Sequence, residues 1–140
     1  MRVRGLAAVA LIALCAPALL SATPVRALDL NAFRAQHGLP RLASSGALAA
    51  KARAHAADMA RRRSMDHAGF HERMRGHRAA AENVAAGCPS ADCAYKMWAE
   101  SSGHRANMLH ASVTHYGLAS AKGGDGMRYW VLELADMKRR

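Results

Sequence analysis

Apolar residues recur along the chain with two different periods, which separate a helical first half from a later region of strands. Over residues 44–63 they are spaced three or four apart, the period of one helix face. The predicted buried face contains Leu48, Ala52, Ala56 and Met59. Ser44 or Ser45 is suited to cap this helix at its start, and the basic residues 61–63 are suited to its end.

Two further helices are predicted from similar signals on either side. Residues 28–37 have Asp29 as a candidate cap and are followed closely by glycine and proline, which stop helices. Ser90 is a candidate cap for a helix that runs to about Ser101. One side of that helix is predicted to carry Ala94, Met97, Trp98 and Ser101.

Short connecting pieces are predicted between these elements. Residues 64–70 form a predicted loop, and residues 71–77 can form one short turn of helix. Gly103 is expected to break the chain before a last helical turn over residues 106–109.

Strands are predicted mainly in the last third of the chain. Residues 113–121 and 127–135 flank the turn sequence Gly-Gly-Asp-Gly, which is typical of a hairpin. Residues 129–132 are almost continuously apolar, which indicates a strand covered on both faces. Residues 80–86 form a third strand or an extended segment. Early helices followed by antiparallel strands predict a layered α+β fold.

The N-terminus has the pattern of a secretory signal peptide. A basic start precedes an apolar run over residues 6–20, and Val25-Arg26-Ala27 offers small residues for cleavage after Ala27. The alternative is a membrane anchor, but the run is shorter than the roughly 20 residues that span a bilayer. Leu14 does not suit a lipoprotein signal at Cys15. We therefore expect a signal peptide over residues 1–27, one domain over residues 28–140, and a secreted or periplasmic protein.

Two cysteines, Cys88 and Cys93, remain after the predicted cleavage. An even pair in an exported chain predicts a disulfide, with two free thiols as the alternative.

The strongly basic composition favours anionic partners. The net charge is +10, and loss of the three arginines of the signal peptide leaves about +7. Lipid headgroups and other anionic envelope components suit this charge. Specific binding to nucleic acid is not expected, because no groove-reading motif or aromatic stacking platform is present. We expect a monomer without a transmembrane span.

Three segments of the chain carry a resemblance to a known family. They are residues 64–70, residues 81–87, and residues 98–109 with Gly-His-Arg at their centre. Their order and spacing resemble the CAP superfamily of cysteine-rich secretory proteins, antigen 5 proteins and pathogenesis-related 1 proteins, and most of all its bacterial single-domain members. The resemblance runs from about residue 30 to residue 134. It implies an α-β-α sandwich with a small antiparallel sheet.

The resemblance also implies a central cleft lined by His67, Glu82 and His104. The family usually has a second glutamate where this chain has Ser101, and Glu100 lies one residue early. One residue is about 100° of helix, so Glu100 should point away from the cleft. A three-member site remains. Ser101 and Arg105 are further candidates for contact with a ligand.

Two histidines and one carboxylate are a reasonable set of zinc ligands, with a fourth position open to water. Three interpretations therefore remain: a structural polar network, a metal site without catalysis, and a zinc-dependent hydrolase or peptidase with Glu82 and His104 as catalytic candidates. We favour a non-enzymatic binding module of the cell envelope or extracellular space.

Four other polar residues have local predictions. His55 should bond to a backbone carbonyl, and Asn107 should cap local backbone. Glu133 should meet an arginine across the sheet. Arg105 can bridge to backbone carbonyls or to an acid if it does not contact a ligand.

Overall fold

The structure is a computed structural model that describes residues 28–137. Residues 1–27 and 138–140 lie outside this part. The predicted signal peptide, its cleavage after Ala27 and the role of Cys15 therefore stay predictions.

Helices and strands follow one another in an order that mixes both types. The elements are α1 (Leu30–Gln36), β1 (Ala43–Ser44), α2 (Gly46–Arg62), α3 (Phe70–Arg73), β2 (Ala80–Ala86), α4 (Ala91–Glu100), α5 (Ser102–Met108), β3 (His115–Lys122) and β4 (Arg128–Ala135). Within residues 28–137, no helix combines the length and the apolar character that a bilayer span requires.

A four-stranded sheet in the order β1-β3-β4-β2 forms the centre of the domain. Strands β3, β4 and β2 are antiparallel, as predicted, whereas the two-residue strand β1 pairs parallel to β3. The sheet is therefore mixed at one edge, because β1 reaches it through a loop from α1 rather than through a hairpin. The predicted α+β class is confirmed.

Helices cover both faces of the sheet. On one face, Met59 and the small residues of α2 pack against Val84 and Val131. On the other face, residues of α1, α4 and α5 surround Trp98 and Leu132. This arrangement is the α-β-α sandwich that the family resemblance implied. All but the first residue of β4 are buried, which confirms a strand covered on both faces.

Side-chain caps start helices α1, α2 and α4 as the sequence indicated. Asp29 accepts a hydrogen bond from the Ala32 N–H at 2.7 Å, and Ser90 accepts one from the Cys93 N–H at 3.3 Å. Of the two candidates before α2, it is Ser45 that accepts from the backbone. Each cap satisfies a backbone donor that the first helical turn leaves without a partner.

Two local predictions about α4 and α5 are wrong. Gly103 lies inside α5 and does not break the chain, because the turn occurs two residues earlier at Ser101, which ends α4 and precedes α5. Met97 is 43% exposed and does not line the buried side. The buried side of α4 contains Ala94 and Trp98, which are four residues apart and lie on one face. Met97 directly precedes Trp98, so its side chain points about 100° away around the helix.

The predicted disulfide between Cys88 and Cys93 is present, with its Cα atoms 5.5 Å apart. It joins the segment after β2 to the first turn of α4. The Trp130 indole N–H donates to the Cys88 carbonyl at 2.8 Å, so β4 holds the same segment from the other side.

Side chains from α4 and α5 bond to the outer backbone of β2. The Trp98 indole N–H donates to the Val84 carbonyl at 2.9 Å, and the Asn107 amide donates to the Glu82 carbonyl at 3.1 Å. Asn107 therefore bridges to a distant strand rather than capping local backbone as predicted. The reason is that α5 packs beside β2 and brings Asn107 within reach of it.

At Gly117, the sheet lies very close to the backbone of α2. A Cβ atom there would lie 2.1 Å from the Ala49 backbone nitrogen and 2.3 Å from the Leu48 carbonyl carbon. Backbone cannot move aside as a flexible side chain can, so we expect Gly117→Ala to lower the free energy of unfolding by about 3 kcal/mol. Urea denaturation measures this change.

Gly46→Ala in the first turn of α2 is the matched control, because nothing lies within 4 Å of its added Cβ. It should be neutral or stabilising by up to about 1 kcal/mol. Equal stability of the two variants would show that β3 and α2 are not packed this closely.

Candidate functional site

The structure brings His67 and Glu82 into direct contact and places His104 nearby. The His67 Nδ1–H donates to Glu82 Oε1 at 2.7 Å, since a carboxylate can only accept. His104 lies on α5, and its carbonyl accepts a hydrogen bond from the Asn83 amide at 2.9 Å. Burial and the nearby charge of His67 lower the pKa of His104. His67 and Glu82 are thus in direct contact, and His104 lies near enough to His67 for the charge of His67 to affect it.

Glu82 faces a second acid, Glu133, directly across the β2–β4 pairing. Like charges in that position repel each other. Arg73 from α3 neutralises them: its Nη2 contacts Glu82 Oε2, and its Nε donates to Glu133 Oε1 at 2.9 Å. Glu133 therefore does meet an arginine as predicted, but the arginine comes from a short helix over the sheet and not from a neighbouring strand.

The surroundings of Glu133 favour its protonated form. Burial, a hydrogen bond with Glu82 and the charge of Glu82 raise the pKa of Glu133 to about 8. Its Oε2 is buried and accepts no hydrogen bond from the described residues. A proton on the Glu133 carboxyl can be donated to Glu82, so one proton and one guanidinium together stabilise two buried acids.

His55 belongs to the same cluster. Its Nε2 lies 2.9 Å from the Asp66 carbonyl, which confirms the predicted backbone bond. The same nitrogen is 3.9 Å from Glu82 Oε1, and both side chains are almost completely buried. Sequence reasoning did not assign His55, Arg73 or Glu133 to the site. The only signal for His55 was its position beside the buried face of α2, and nothing distinguished Arg73 from the other arginines of the chain.

The two other predicted cleft residues lie apart from this cluster. The exposed Arg105 donates to His37 Nε2 at 2.9 Å and lies over the Phe33 ring, 5.3 Å from its centroid. It also approaches the Ala99 carbonyl at 3.4 Å, so it bridges to backbone as one alternative predicted. Ser101 is half-buried at the α4–α5 turn. Among the described residues, no side-chain contact joins either one to Glu82.

The predicted zinc ligands do not fit a metal ion in this arrangement. Both oxygens of Glu82 are engaged, one by His67 and the other by Arg73. The Arg73 guanidinium places a positive charge where a cation would have to bind. Among residues 28–137, no group of three or more His, Cys, Asp and Glu side chains is arranged to hold a metal. Zinc would have to displace Arg73 or His67, and its binding stays a prediction.

The raised pKa of Glu133 gives the protein a specific pH dependence. The unfolded chain releases this proton near the ordinary value of 4.5, whereas the folded chain holds it up to about pH 8. Stability contributed by the proton is complete below pH 4.5 and declines as the pH rises through that window. Glu133→Gln has no such proton to lose. We therefore expect the stability of Glu133→Gln relative to the unmodified protein to increase from pH 5 to pH 8 in urea denaturation.

Glu72→Gln is the control, because Glu72 is an exposed acid paired with Arg75 on the surface. Its stability relative to the unmodified protein should be nearly constant over the same range. A constant difference for Glu133→Gln as well would mean that Glu133 is ionised in the folded protein.

Removal of Arg73 should be costly, because it leaves the buried Glu82 without its cationic partner. We expect Arg73→Met to lower the free energy of unfolding by about 3 kcal/mol. Measured at about pH 9, above the pKa of Glu133, Arg73→Met combined with Glu133→Gln should recover part of this loss, since one acid is then permanently neutral. Additive losses in a double-mutant cycle would contradict a shared cluster.

Comparisons of the chain with known proteins agree on one family. A family model described as the cysteine-rich secretory protein family, CAP, matches residues 29–134. The chain is 31% identical over 119 residues to the uncharacterised protein YkwD of Bacillus subtilis (strain 168). That match covers 78% of this chain but only 46% of the relative, so the chain spans less than half of that protein.

Solved structures of similar fold come from other bacteria. An outer surface protein of Borrelia burgdorferi has a TM-score of 0.69 at 18% identity, covering 78% of this chain and 87% of its own. An extracellular protein of Bacillus anthracis str. Ames that contains an SCP domain has a TM-score of 0.67 at 26% identity, covering 77% and 38%. Because the family model matches most of the sequence, the chain belongs to the CAP, or cysteine-rich secretory protein, family.

Proposed function

We propose that this CAP domain is a non-enzymatic binding module, exported from the cytoplasm, that recognises an anionic ligand of the cell envelope or extracellular space. The ligand is bound at a rim formed by His67 and His104. Glu82, Arg73 and Glu133 lie beneath this rim as structural support.

The contrast in exposure between Glu82 and His67 carries this proposal. The Glu82 side chain is 1% exposed, whereas the His67 side chain is 52% exposed. A general base or an open metal site must be reachable by substrate. Glu82 is buried, and both of its oxygens bond to groups of the protein. This favours a positioning role for Glu82, in which it fixes the His67 ring and leaves the ring edge free in solvent.

The rim can present hydrogen-bond donors to an anion. His67 uses its Nδ1–H on Glu82, so its Nε2, on the exposed side of the ring, can donate to an anion when the imidazole is protonated. His104 is half-buried, and its burial lowers its pKa, which favours the neutral form. The charge of about +7 on residues 28–140 attracts anionic surfaces over longer distances, and salt weakens that attraction.

Export is part of the proposal for two reasons. The N-terminal sequence has the features of a signal peptide, and the disulfide between Cys88 and Cys93 is typical of an oxidising compartment. The related SCP-domain protein of Bacillus anthracis is an extracellular protein.

Vesicle binding tests the proposed rim. Purified residues 28–140 are sedimented with phosphatidylcholine vesicles that contain phosphatidylglycerol, and with pure phosphatidylcholine vesicles as the neutral reference. We expect binding to the anionic vesicles only. His67→Ala with His104→Ala should weaken it about tenfold, because charge-assisted hydrogen bonds to the ligand are lost. His115→Ala is the matched control, since His115 lies on β3 beside β1, at the opposite side of the sheet.

Elemental analysis separates this proposal from the zinc-dependent hydrolase. The protein is dialysed against trace zinc, with His67→Ala and His104→Ala in parallel. The binding module predicts no retained zinc in any of the three. About one zinc per chain that both substitutions abolish, while the variants stay folded, would contradict the proposed role of Glu82 and make a hydrolase screen the next experiment.

A further inference from the structure

A second pair of like charges faces across the sheet, at the end of the β3–β4 hairpin. Lys122 and Arg128 are direct cross-strand partners. Side chains in such positions have Cβ atoms about 5 Å apart, and two cations there repel each other. Arg128 and Glu133 are five residues apart on β4, which corresponds to about 17 Å at the rise of an antiparallel strand. The basic pair is therefore separate from the acidic cluster.

Within residues 28–137, no acid forms an ion pair with either member of this basic pair. The acidic pair in the same sheet has Arg73 between its members. The arginines and lysines that form ion pairs within residues 28–137 are Arg61, Arg62, Arg73, Arg75, Arg78 and Lys96. Neither Lys122 nor Arg128 is among them. The nearest acid along the hairpin, Asp125, accepts from the Tyr129 hydroxyl at 2.7 Å, and Tyr129 packs on the opposite, α2 side of the sheet.

The two cations line a surface cavity of about 260 Å³. The other lining residues are Gly87, Cys88, Pro89 and Gly126, so no carboxylate contributes to its walls. The disulfide fixes one wall, and the hairpin forms the other. The Gly87 N–H donates to the Arg128 carbonyl at 3.0 Å, which joins the two walls.

Arg128 is held in place before any ligand binds. One Nη donates to Ser120 Oγ at 3.0 Å, and the guanidinium lies 5.9 Å from the centre of the Trp130 ring. Among the described residues, this is the one hydrogen bond of its side chain, so further donors are available. Lys122 is exposed and flexible enough to bring its ammonium to the same anion.

We propose that the cavity between the disulfide loop and the β3–β4 hairpin is a binding site for a phosphate group, held by Lys122 and Arg128. A tetrahedral phosphate offers separate oxygens to the two cations and so removes the repulsion between them. The phosphate can belong to a soluble phosphate compound or to a lipid headgroup. This site is distinct from the His67–His104 rim and does not depend on the function proposed there.

Chemical-shift titration with inorganic phosphate tests the site. The folded protein is titrated at constant ionic strength, with chloride as the exchanged anion, and the backbone amides of Gly87 and Gly126 are followed. We expect saturable shifts at both amides. Lys122→Gln combined with Arg128→Gln should weaken phosphate binding about tenfold or more. Arg41→Gln combined with Arg53→Gln removes the same charge from two other exposed positions and should leave binding unchanged.

Thermal unfolding gives a second readout that does not need the amide signals. Phosphate should raise the Tm of the unmodified protein and of the Arg41/Arg53 variant, and should not raise the Tm of the Lys122/Arg128 variant. Without phosphate, the Lys122/Arg128 variant should be at least as stable as the unmodified protein, because its cross-strand repulsion is gone.

Vesicles that contain phosphatidylglycerol distinguish a lipid headgroup from a soluble phosphate compound as the source of the phosphate. Loss of vesicle binding in the Lys122/Arg128 variant assigns the site to a lipid headgroup. Binding of inorganic phosphate with unchanged vesicle binding assigns it to a soluble phosphate compound. The proposal is overturned if no saturable shifts occur at Gly87 and Gly126, or if both double variants lose phosphate affinity equally. If the proposal for the His67–His104 rim is wrong, the histidine variants will bind vesicles as the unmodified protein does. The phosphate titration does not depend on that result.

Discussion

The compensation of two buried acids by one arginine is the interaction on which the site depends. Seven consecutive residue pairs set the β2–β4 register, and this register places Glu82 opposite Glu133 beneath α2. A shift of one residue would break all seven pairs and exchange the side chains that β4 packs against the two helical layers, so the acids stay opposite each other. Arg73 must therefore reach between them, and this requirement fixes α3 over the sheet. The loop that carries His67 then ends beside Glu82.

The helices and strands were largely predictable because their signals are local. Spacing along α2 identified its buried face, and a serine or aspartate marked the start of each long helix. The errors occurred where packing between elements decides the outcome. Gly103 is a poor helix former, but α5 forms because α4 and β2 pack against it. Asn107 bonds to β2 for the same reason, and no local pattern shows which helix lies beside which strand.

The site was predictable only in part, and from resemblance rather than spacing. His67, Glu82 and His104 are far apart in sequence, and the family pattern alone suggested that they meet. Glu133 and Arg73 join them through strand register and helix position, which are properties of the folded chain. Membership of the CAP family establishes the fold, whereas function depends on the chemistry of individual side chains. A carboxylate engaged by Arg73 differs chemically from one that is open to a metal or a substrate.

The bonds from Trp98 and Asn107 to the β2 carbonyls have a consequence for how the protein behaves among its own copies. An outer strand with free backbone groups is a template on which another chain can add a strand and start aggregation. Here two side chains already occupy successive outward carbonyls of β2, and the opposite margin, β1, is only two residues long. Intermolecular sheet growth is therefore obstructed at both margins of the sheet.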